Sequence, residues 1–312
     1  MLKADAPTRP RGIEDLLSAD LLARIGPLDV TSRRVFSGKL KGERRSKRRG
    51  ESVEFADHRP YVSGDDLRHI DWNLFARLDI LFLKLFLEEE DLALHLVFDA
   101  SASSDCGSPS KFLFMQKAAM ALGYVGLTNL NRVACTAIGG LPPKDQHPAL
   151  TRAIRDLRGR RRAIDLAQFI CSIEPGGSSD FRAAAERIAL SRRGKGVMIL
   201  FSDFLFKEGY EAGLRLLVGR GYDLIVVQVL SPQEINPTVA GDLKLKDVED
   251  NDSAEVTISA PLLKRYSQTL TAYTDRLREF CGRRGIQSML VRSDSPIDSL
   301  LLDSLRKRGV LR

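Results

Sequence analysis

The stretch LALHLVFDASASSD, Leu92 to Asp105, decides how the rest of the chain is read. Leu92, Ala93, Leu94, Leu96, Val97 and Phe98 are apolar, and only His95 interrupts them. A short apolar run of this kind is the pattern of a strand buried on both faces, as in the middle of a parallel sheet. Asp99 ends the run, so it falls at the carboxyl edge of the sheet, where open α/β folds place their ligands. Ser101 and Ser103 follow at alternate positions. One carboxylate and two hydroxyls within five residues are hard oxygen donors of the sort magnesium prefers. The same residues also fit a cap for the helix that follows.

The alternation continues outward from this strand. Lys111 to Leu127 is expected to be a helix, with Phe112, Met115, Ala119, Leu122 and Val125 on one side. Asn131 to Gly139 reads as a strand, Ala149 to Leu157 as a short helix after a Pro142-Pro143 loop, and Ile164 to Ile173 as another helix. The loop EPGGSSD, Glu174 to Asp180, opens a helix over Phe181 to Ser191. VMILFSD, Val197 to Asp203, repeats the first design, a buried run ended by Asp. A helix near Gly209 to Gly219 and a strand at Asp223 to Leu230 come next. A hairpin appended to the sheet is expected within 241–259, then a long helix from Leu262 to Cys281, a strand at Gln287 to Arg292 and a closing helix from Ile297 to Arg308. Strands alternating with helices from residue 92 onward predict a doubly wound, mostly parallel sheet flanked by helices.

The residues before 92 read differently. Residues 1 to about 12 carry Pro and Gly among polar residues, and Ile13 to Ile25 has helical spacing up to Gly26-Pro27. An apolar-basic stretch, Leu28 to Phe36, follows. From Gly38 to Asp91 the chain is rich in charge, with a turn at Ser63-Gly64-Asp65-Asp66 and a strand-like run from Leu81 to Leu87. Arg59, Asp65, Asp66, Arg68, Asp71 and Arg77 crowd around the only tryptophan, Trp72. Such density predicts an ion-pair network that fixes irregular backbone; an acid/base pair of Asp65 and Asp71 is the competing reading. The expected organisation is a helical lead-in at 1–35, a small β-rich segment at 36–91 and an α/β domain at 92–312.

Composition narrows the function classes. The chain has 312 residues, 43% hydrophobic and 29% charged, with no run near the ~18 apolar residues of a membrane span. MLKADAPTRPRG at the start has no apolar core and predicts no secretory leader, so a cytoplasmic location is expected. Cys106, Cys135, Cys171 and Cys281 form no C-x-x-C pair, which argues against structural zinc and a disulfide framework. No phosphate loop and no G-x-G-x-x-G after a strand is present. The net charge of +7 owes much to Lys39, Lys41, Arg44, Arg45, Lys47, Arg48 and Arg49. This cluster reads as a solvated loop, with a surface for nucleic acid, anionic lipid or an acidic partner as the competing reading; few aromatics interleave it, and no nucleic-acid partner is expected.

Two further pieces join Asp99. Ser178, Ser179 and Asp180 lie in the Gly-rich loop, and Asp203 ends the next buried run. If the two Asp-ended strands are neighbours, Asp99, Ser101, Ser103, Ser179 and Asp203 converge on one crevice. Two carboxylates and three hydroxyls, without Cys or His, suit Mg2+ or Mn2+ over zinc.

This set resembles the metal-ion-dependent adhesion site of von Willebrand factor A domains, with Ser179 where Thr is commoner. The upstream block is similar to the signature of the DUF58 family: Glu54-Phe55, Arg59-x-Tyr61, Gly64-Asp65-Asp66-x-Arg68-x-Ile70-Asp71-Trp72 and Ala76-Arg77. The paired resemblance implies an A-domain-like fold behind a family-specific segment. It also implies a divalent metal on Asp99, Ser101, Ser103, Ser179 and Asp203, and a MoxR-type AAA+ ATPase as working partner. The expected function is therefore a non-enzymatic adaptor whose metal takes a carboxylate from a protein partner. The alternative is a metal-dependent phosphohydrolase using Asp99. Such enzymes usually place a second Asp two residues on as acid/base; here that position is Ser101, which cannot do that job near neutral pH.

Overall fold

The computed structural model describes residues 9–31, 54–63, 65–87, 92–142, 151–191, 196–239, 241–249 and 252–312. The basic cluster from Lys39 to Arg49, Gly64 and the first eight residues lie outside them. The chain divides into two compact units, Met1–Lys39 with Leu92–Arg312, and Leu40–Asp91.

The larger unit is built on a six-stranded sheet. Its strands are β3 (Ala93–Asp99), β4 (Arg132–Ile138), β5 (Thr151–Leu157), β6 (Gly196–Ser202), β7 (Tyr222–Leu230) and β10 (Gln287–Arg292), in the order β10-β7-β6-β3-β4-β5. Every neighbouring pair is parallel except β4–β5. This is the doubly wound, mostly parallel sheet the sequence predicts. The chain leaves β3 for β4 on one side and returns through β6 on the other, so the carboxyl ends of β3 and β6 flank the switch point.

Alternate residues of the central strands feed two cores. Leu94, Leu96 and Phe98 join Val197, Ile199 and Phe201 on one face, against helices Lys111–Thr128 and Ala163–Cys171. Val97, Met198 and Leu200 point to the other face, against Phe181–Leu190, Glu211–Gly219 and Ala260–Gly282. Burial on both faces explains why these strands read as continuous apolar runs. His95 is accommodated by a 2.8 Å hydrogen bond between its Nε2 and Thr136 Oγ1 on β4.

Three local expectations are corrected. Ala149 to Leu157 is not a helix: from Thr151 it is β5, antiparallel to β4 at the sheet edge. Its apolar residues Ile154 and Leu157 happen to fall at helical spacing. Arg152, Arg155 and Asp156 give it the charged character that keeps an edge strand from pairing further. Ile13 to Ile25 is not one helix but two, Ile13–Leu16 and Ala19–Ile25. The chain extends at Leu17, and the Ser18 hydroxyl accepts from Leu21 N to start the second. The hairpin, β8 (Gly241–Lys246) with β9 (Ser253–Ile258), forms its own two-stranded sheet and adds no strand to the main one. The closing helix carries a π-type stretch over Ser299–Leu305.

The lead-in packs into the core of the larger unit through Leu16, Leu17, Leu21, Ile25, Leu28 and Val30. Its last described residues pair with the chain's end: Thr31 N donates to Val310 O, and Asp29 N to Arg312 O. Among the described residues, no helix is long and apolar enough to cross a membrane.

The smaller unit pairs β1 (Glu54–Pro60) antiparallel with β2 (Phe82–Leu87), joined by a 3-10 turn at Leu67–His69 and a helix at Trp72–Leu78.

Candidate functional site

In the smaller unit the signature charges resolve into separate pairs. Arg59 grips Asp65 with two bonds of 2.8 and 2.7 Å, and Asp65 also accepts from Val62 N, which closes the turn. Arg68 pairs with Asp66 at 2.7 Å. Tyr61 contributes its backbone N–H to Leu81 O. Arg77 lies exposed in the last turn of the helix.

Asp71 caps that helix through Asn73 N and Leu74 N, and meets His58 Nε2 at 2.9 Å and Lys84 Nζ at 3.4 Å. The hydrogen bond to His58, foremost, brings its pKa down to about 2. A carboxyl depressed in the folded state contributes stability above its unfolded pKa, and that contribution disappears as pH falls through about 2. Asp65 and Asp71 each have their own partner, an arrangement that fixes backbone. Asp71→Ala is expected to fray the start of the helix and shift the emission of Trp72, which is 60% exposed. An unchanged fluorescence spectrum would count against the cap.

The larger unit assembles its own cluster at the carboxyl ends of β3 and β6. These strands are direct neighbours in parallel register, with Phe98 beside Phe201. Asp99 is 2% exposed and Asp203, just past β6, is 6% exposed. Asp99 Oδ1 accepts from Ser101 N at 2.9 Å, and Oδ2 accepts from Ser202 Oγ at 3.0 Å. Burial, reinforced by the nearby charge of Asp203, pushes the Asp99 pKa up to about 6.

The Gly-rich loop is laced onto this edge by backbone. Ala102 N donates to Gly177 O, Gly176 N to Ala100 O, and Leu141 N to Glu174 O, each at 2.8–2.9 Å. Gly139, at φ +70°, lies where a Cβ would touch Ser179 Cβ at 3.4 Å and Ser101 N at 3.6 Å. The loop therefore reaches the Asp99 turn through the end of β4. Asp180 Oδ1 accepts from Ala183 N and caps the following helix.

Asp99, Ser103, Ser179 and Asp203 all line one cavity of about 780 Å3. Ser101 sits behind that wall, 1% exposed, with its Oγ 3.0 Å from Ser103 Oγ. The far wall is the hairpin region, Leu245 to Glu249 and Asp252 to Ala254. The helix-cap reading of Asp-x-Ser-x-Ser is met by other atoms. Ser110 Oγ accepts from Leu113 N to cap the long helix, while Ser101 and Ser103 stay at the sheet edge.

Sequence reasoning missed Lys111, Glu234 and Ser202. Lys111, 0% exposed, donates to Asp203 Oδ2 at 2.7 Å and to Glu234 Oε1 at 2.6 Å. Burial disfavours its charge, but the two carboxylates outweigh that and raise its pKa. Glu234 belongs to the short helix Pro232–Ile235, whose capping box joins Glu234 Oε2 to Ser231 N and Oγ. The local signal was Ser231-Pro232-Gln233-Glu234 at the end of a buried strand.

The donor set fits a hard divalent cation. Two buried carboxylates whose charges repel, with hydroxyls alongside, create the demand such an ion meets. Among the described residues, no group of three or more His, Cys, Asp and Glu side chains is arranged to hold a metal. Coordination here would thus lean on the hydroxyls of Ser103 and Ser179, with Ser101 hydrogen-bonded behind Ser103, and on water.

Comparison with known proteins gives the family context. The family model described as "Protein of unknown function DUF58" matches residues 57–276. "Uncharacterized protein Rv1480" of Mycobacterium tuberculosis is 25% identical over 312 residues, covering 98% of this chain and 95% of its own length. Two solved structures have similar chains. One is an aerotolerance-related membrane protein from Bacteroides fragilis, 15% identical, covering 70% of this chain and 98% of that one, with a TM-score of 0.42. The other is the conserved hypothetical protein BatB from Bacteroides thetaiotaomicron, 14% identical, covering 70% and 95%, with a TM-score of 0.39.

Proposed function

We propose that this chain, which belongs to the DUF58 family, is a non-enzymatic adaptor that binds a protein partner through a divalent cation. The observation that carries this reading is the meeting of Asp99, Ser103, Ser179 and Asp203 on one cavity wall at the sheet's switch point. Asp99 and Asp203 supply the charge, Ser103 and Ser179 supply hydroxyls, and Ser101 orients Ser103. Mg2+ or Mn2+, when bound, would offer an open position for a carboxylate from the partner, with a Coulomb attraction that is large in a partly desolvated site. The sequence resemblance implies a MoxR-type AAA+ ATPase as that partner or as its co-worker, in assembly or maturation of protein complexes.

Ser101 also weighs against hydrolysis. Its hydroxyl bonds to Ser103, and no acid stands two residues beyond Asp99. The adaptor reading is tested by pull-down from the source cell with the full chain in Mg2+, against EDTA and against Asp99→Ala. Partners retained in Mg2+ and lost in both controls are the expected result. Equal recovery in all three would remove the adhesion mechanism, and phosphate-ester turnover abolished by Asp99→Asn would favour the enzyme instead.

A further inference from the structure

The edge strand β5 runs antiparallel to β4, and its last residue, Leu157, pairs with Val133 at the start of β4. The turn that follows β5 therefore stands at the amino edge of the sheet, the end opposite Asp99 and Asp203. Strands of seven residues put about 20 Å between the two edges. From Arg155 to Asp165 the chain carries five arginines, no lysine and two aspartates, Asp156 and Asp165. All five arginines are exposed, as is Arg132 at the start of β4. Arg162 pairs with Asp165 at 2.8 Å, and Arg160 lies over the Tyr124 ring at 5.8 Å. Arg155 and Arg161 make no ion pair among the described residues. The acidic run Glu88 to Asp91 leads into β3 at this edge and lies outside the described residues. Two aliphatic side chains flank the arginines. Ile164, at the start of the helix Ala163–Cys171, is 61% exposed, and Leu130 is 39% exposed. Leu130 sits against the arginine turn, since a Cβ on Gly159 would lie 3.9 Å from Leu130 Cδ2.

We propose that this face, the turn Arg158 to Ile164 with Arg155 and Leu130 beside it, docks on the surface of a bilayer rich in anionic lipid. Guanidinium groups pair with lipid phosphates in a fork geometry. Exposed aliphatic tips beside them enter the boundary between headgroups and acyl chains. Nucleic acid offers the phosphates but gives Ile164 nothing to enter. The attachment is reversible, because a few basic residues and one or two aliphatic tips contribute far less than a membrane span. It leaves the Asp99 edge at the far end of the strands, facing away from the lipid and open to a partner. This inference does not depend on the metal reading.

Vesicle flotation of the full chain tests this, in EDTA so that the cation site stays out of the readout. The vesicles are phosphatidylcholine alone, or phosphatidylcholine with an equal part of phosphatidylglycerol. Binding to the anionic vesicles only is expected. Raising the salt from about 0.1 M to about 1 M, where the screening length is about 3 Å, should abolish it. Arg155→Gln and Arg161→Gln should each weaken binding about fivefold, the scale of one basic residue near an anionic surface. Arg161→Lys, which keeps the charge, should stay near wild type. Ile164→Ser should weaken binding about tenfold at unchanged charge. These side chains are exposed, so unchanged circular dichroism is expected throughout. A wild-type chain that does not bind anionic vesicles overturns the proposal. Binding that Arg155→Gln, Arg161→Gln and Ile164→Ser all leave unmoved also overturns it, and assigns the contact to another surface such as the basic cluster from Lys39 to Arg49. Loss in the arginine variants with Ile164→Ser at wild-type strength means a purely electrostatic contact, of the kind an acidic protein or a nucleic acid makes, and overturns the lipid assignment.

Discussion

Asp99→Asn is expected to make the metal-free chain more stable, by about 3 kcal/mol at pH 8, and to make it indifferent to Mn2+. The Asp99 carboxyl has a folded-state pKa pushed up to about 6, first by burial and then by the charge of Asp203. An unfolded Asp titrates near 3.9. Between these values the folded state holds the proton more tightly. Stability from this group therefore falls as pH rises from about 4 through about 6, and the full cost stands above that. Two units correspond to about 3 kcal/mol. Asn removes the charge, and it can still accept from Ser101 N. The gain should accordingly vanish near pH 4. Melting curves in EDTA at pH 4 and pH 8 test this, with a rise of roughly 6 to 12 °C expected at the higher pH only. In Mn2+ at about a thousand times its Kd the order should reverse, because an ion that binds only the folded wild type then adds about 4.1 kcal/mol. A gain of equal size at both pH values would mean that Asp99 carries no such charge penalty.

That exchange of stability for a binding site is only half legible in the sequence. Asp99 and Asp203 are readable because each ends a short apolar run, the pattern of a strand buried on both faces. Their adjacency rests on the order of strands, which no local pattern states. Lys111 is invisible for the same reason. At the first position of a helix a lysine reads as a solvated charge, and its meaning comes from Asp203 and Glu234, 92 and 123 positions away. Local signals also mislead. β5 carries Ile154 and Leu157 at a helical interval, but the unpaired edge of β4 decides its conformation. The hairpin is recognisable from its alternation. Alternation names a partner strand and not a sheet, so its separate placement beside the cavity is not readable.

Gly139 and Gly140, where the sequence passes from strand to loop, lead to the second large expected effect. Gly140 has φ +91°, and a Cβ there would lie 3.0 Å from Glu174 O and 3.3 Å from Ala100 Cβ. Glu174 O already accepts from Leu141 N, and Ala100 O from Gly176 N, so neither backbone is free to retreat. Gly140→Ala therefore meets two penalties. The left-handed backbone costs about 1–2 kcal/mol for a residue with a Cβ. Crowding against fixed backbone costs about 1–3 kcal/mol more. Relief requires the loop from Glu174 to Asp180 to move off the Asp99 turn, carrying Ser179 away from Ser103. Gly139→Ala carries the first penalty at φ +70° but only ordinary contacts of 3.4 Å or longer. Asn, which tolerates positive φ better than Ala, should relieve strain at 139 and leave the crowding at 140. The expected result is a loss of about 3 kcal/mol for Gly140→Ala, a smaller loss of about 2 kcal/mol for Gly140→Asn, and weaker Mn2+ binding for both. Gly139→Asn should stay near wild type in both measurements. Equal losses at the two positions would assign the effect to backbone strain alone and detach the loop's closeness from cation binding.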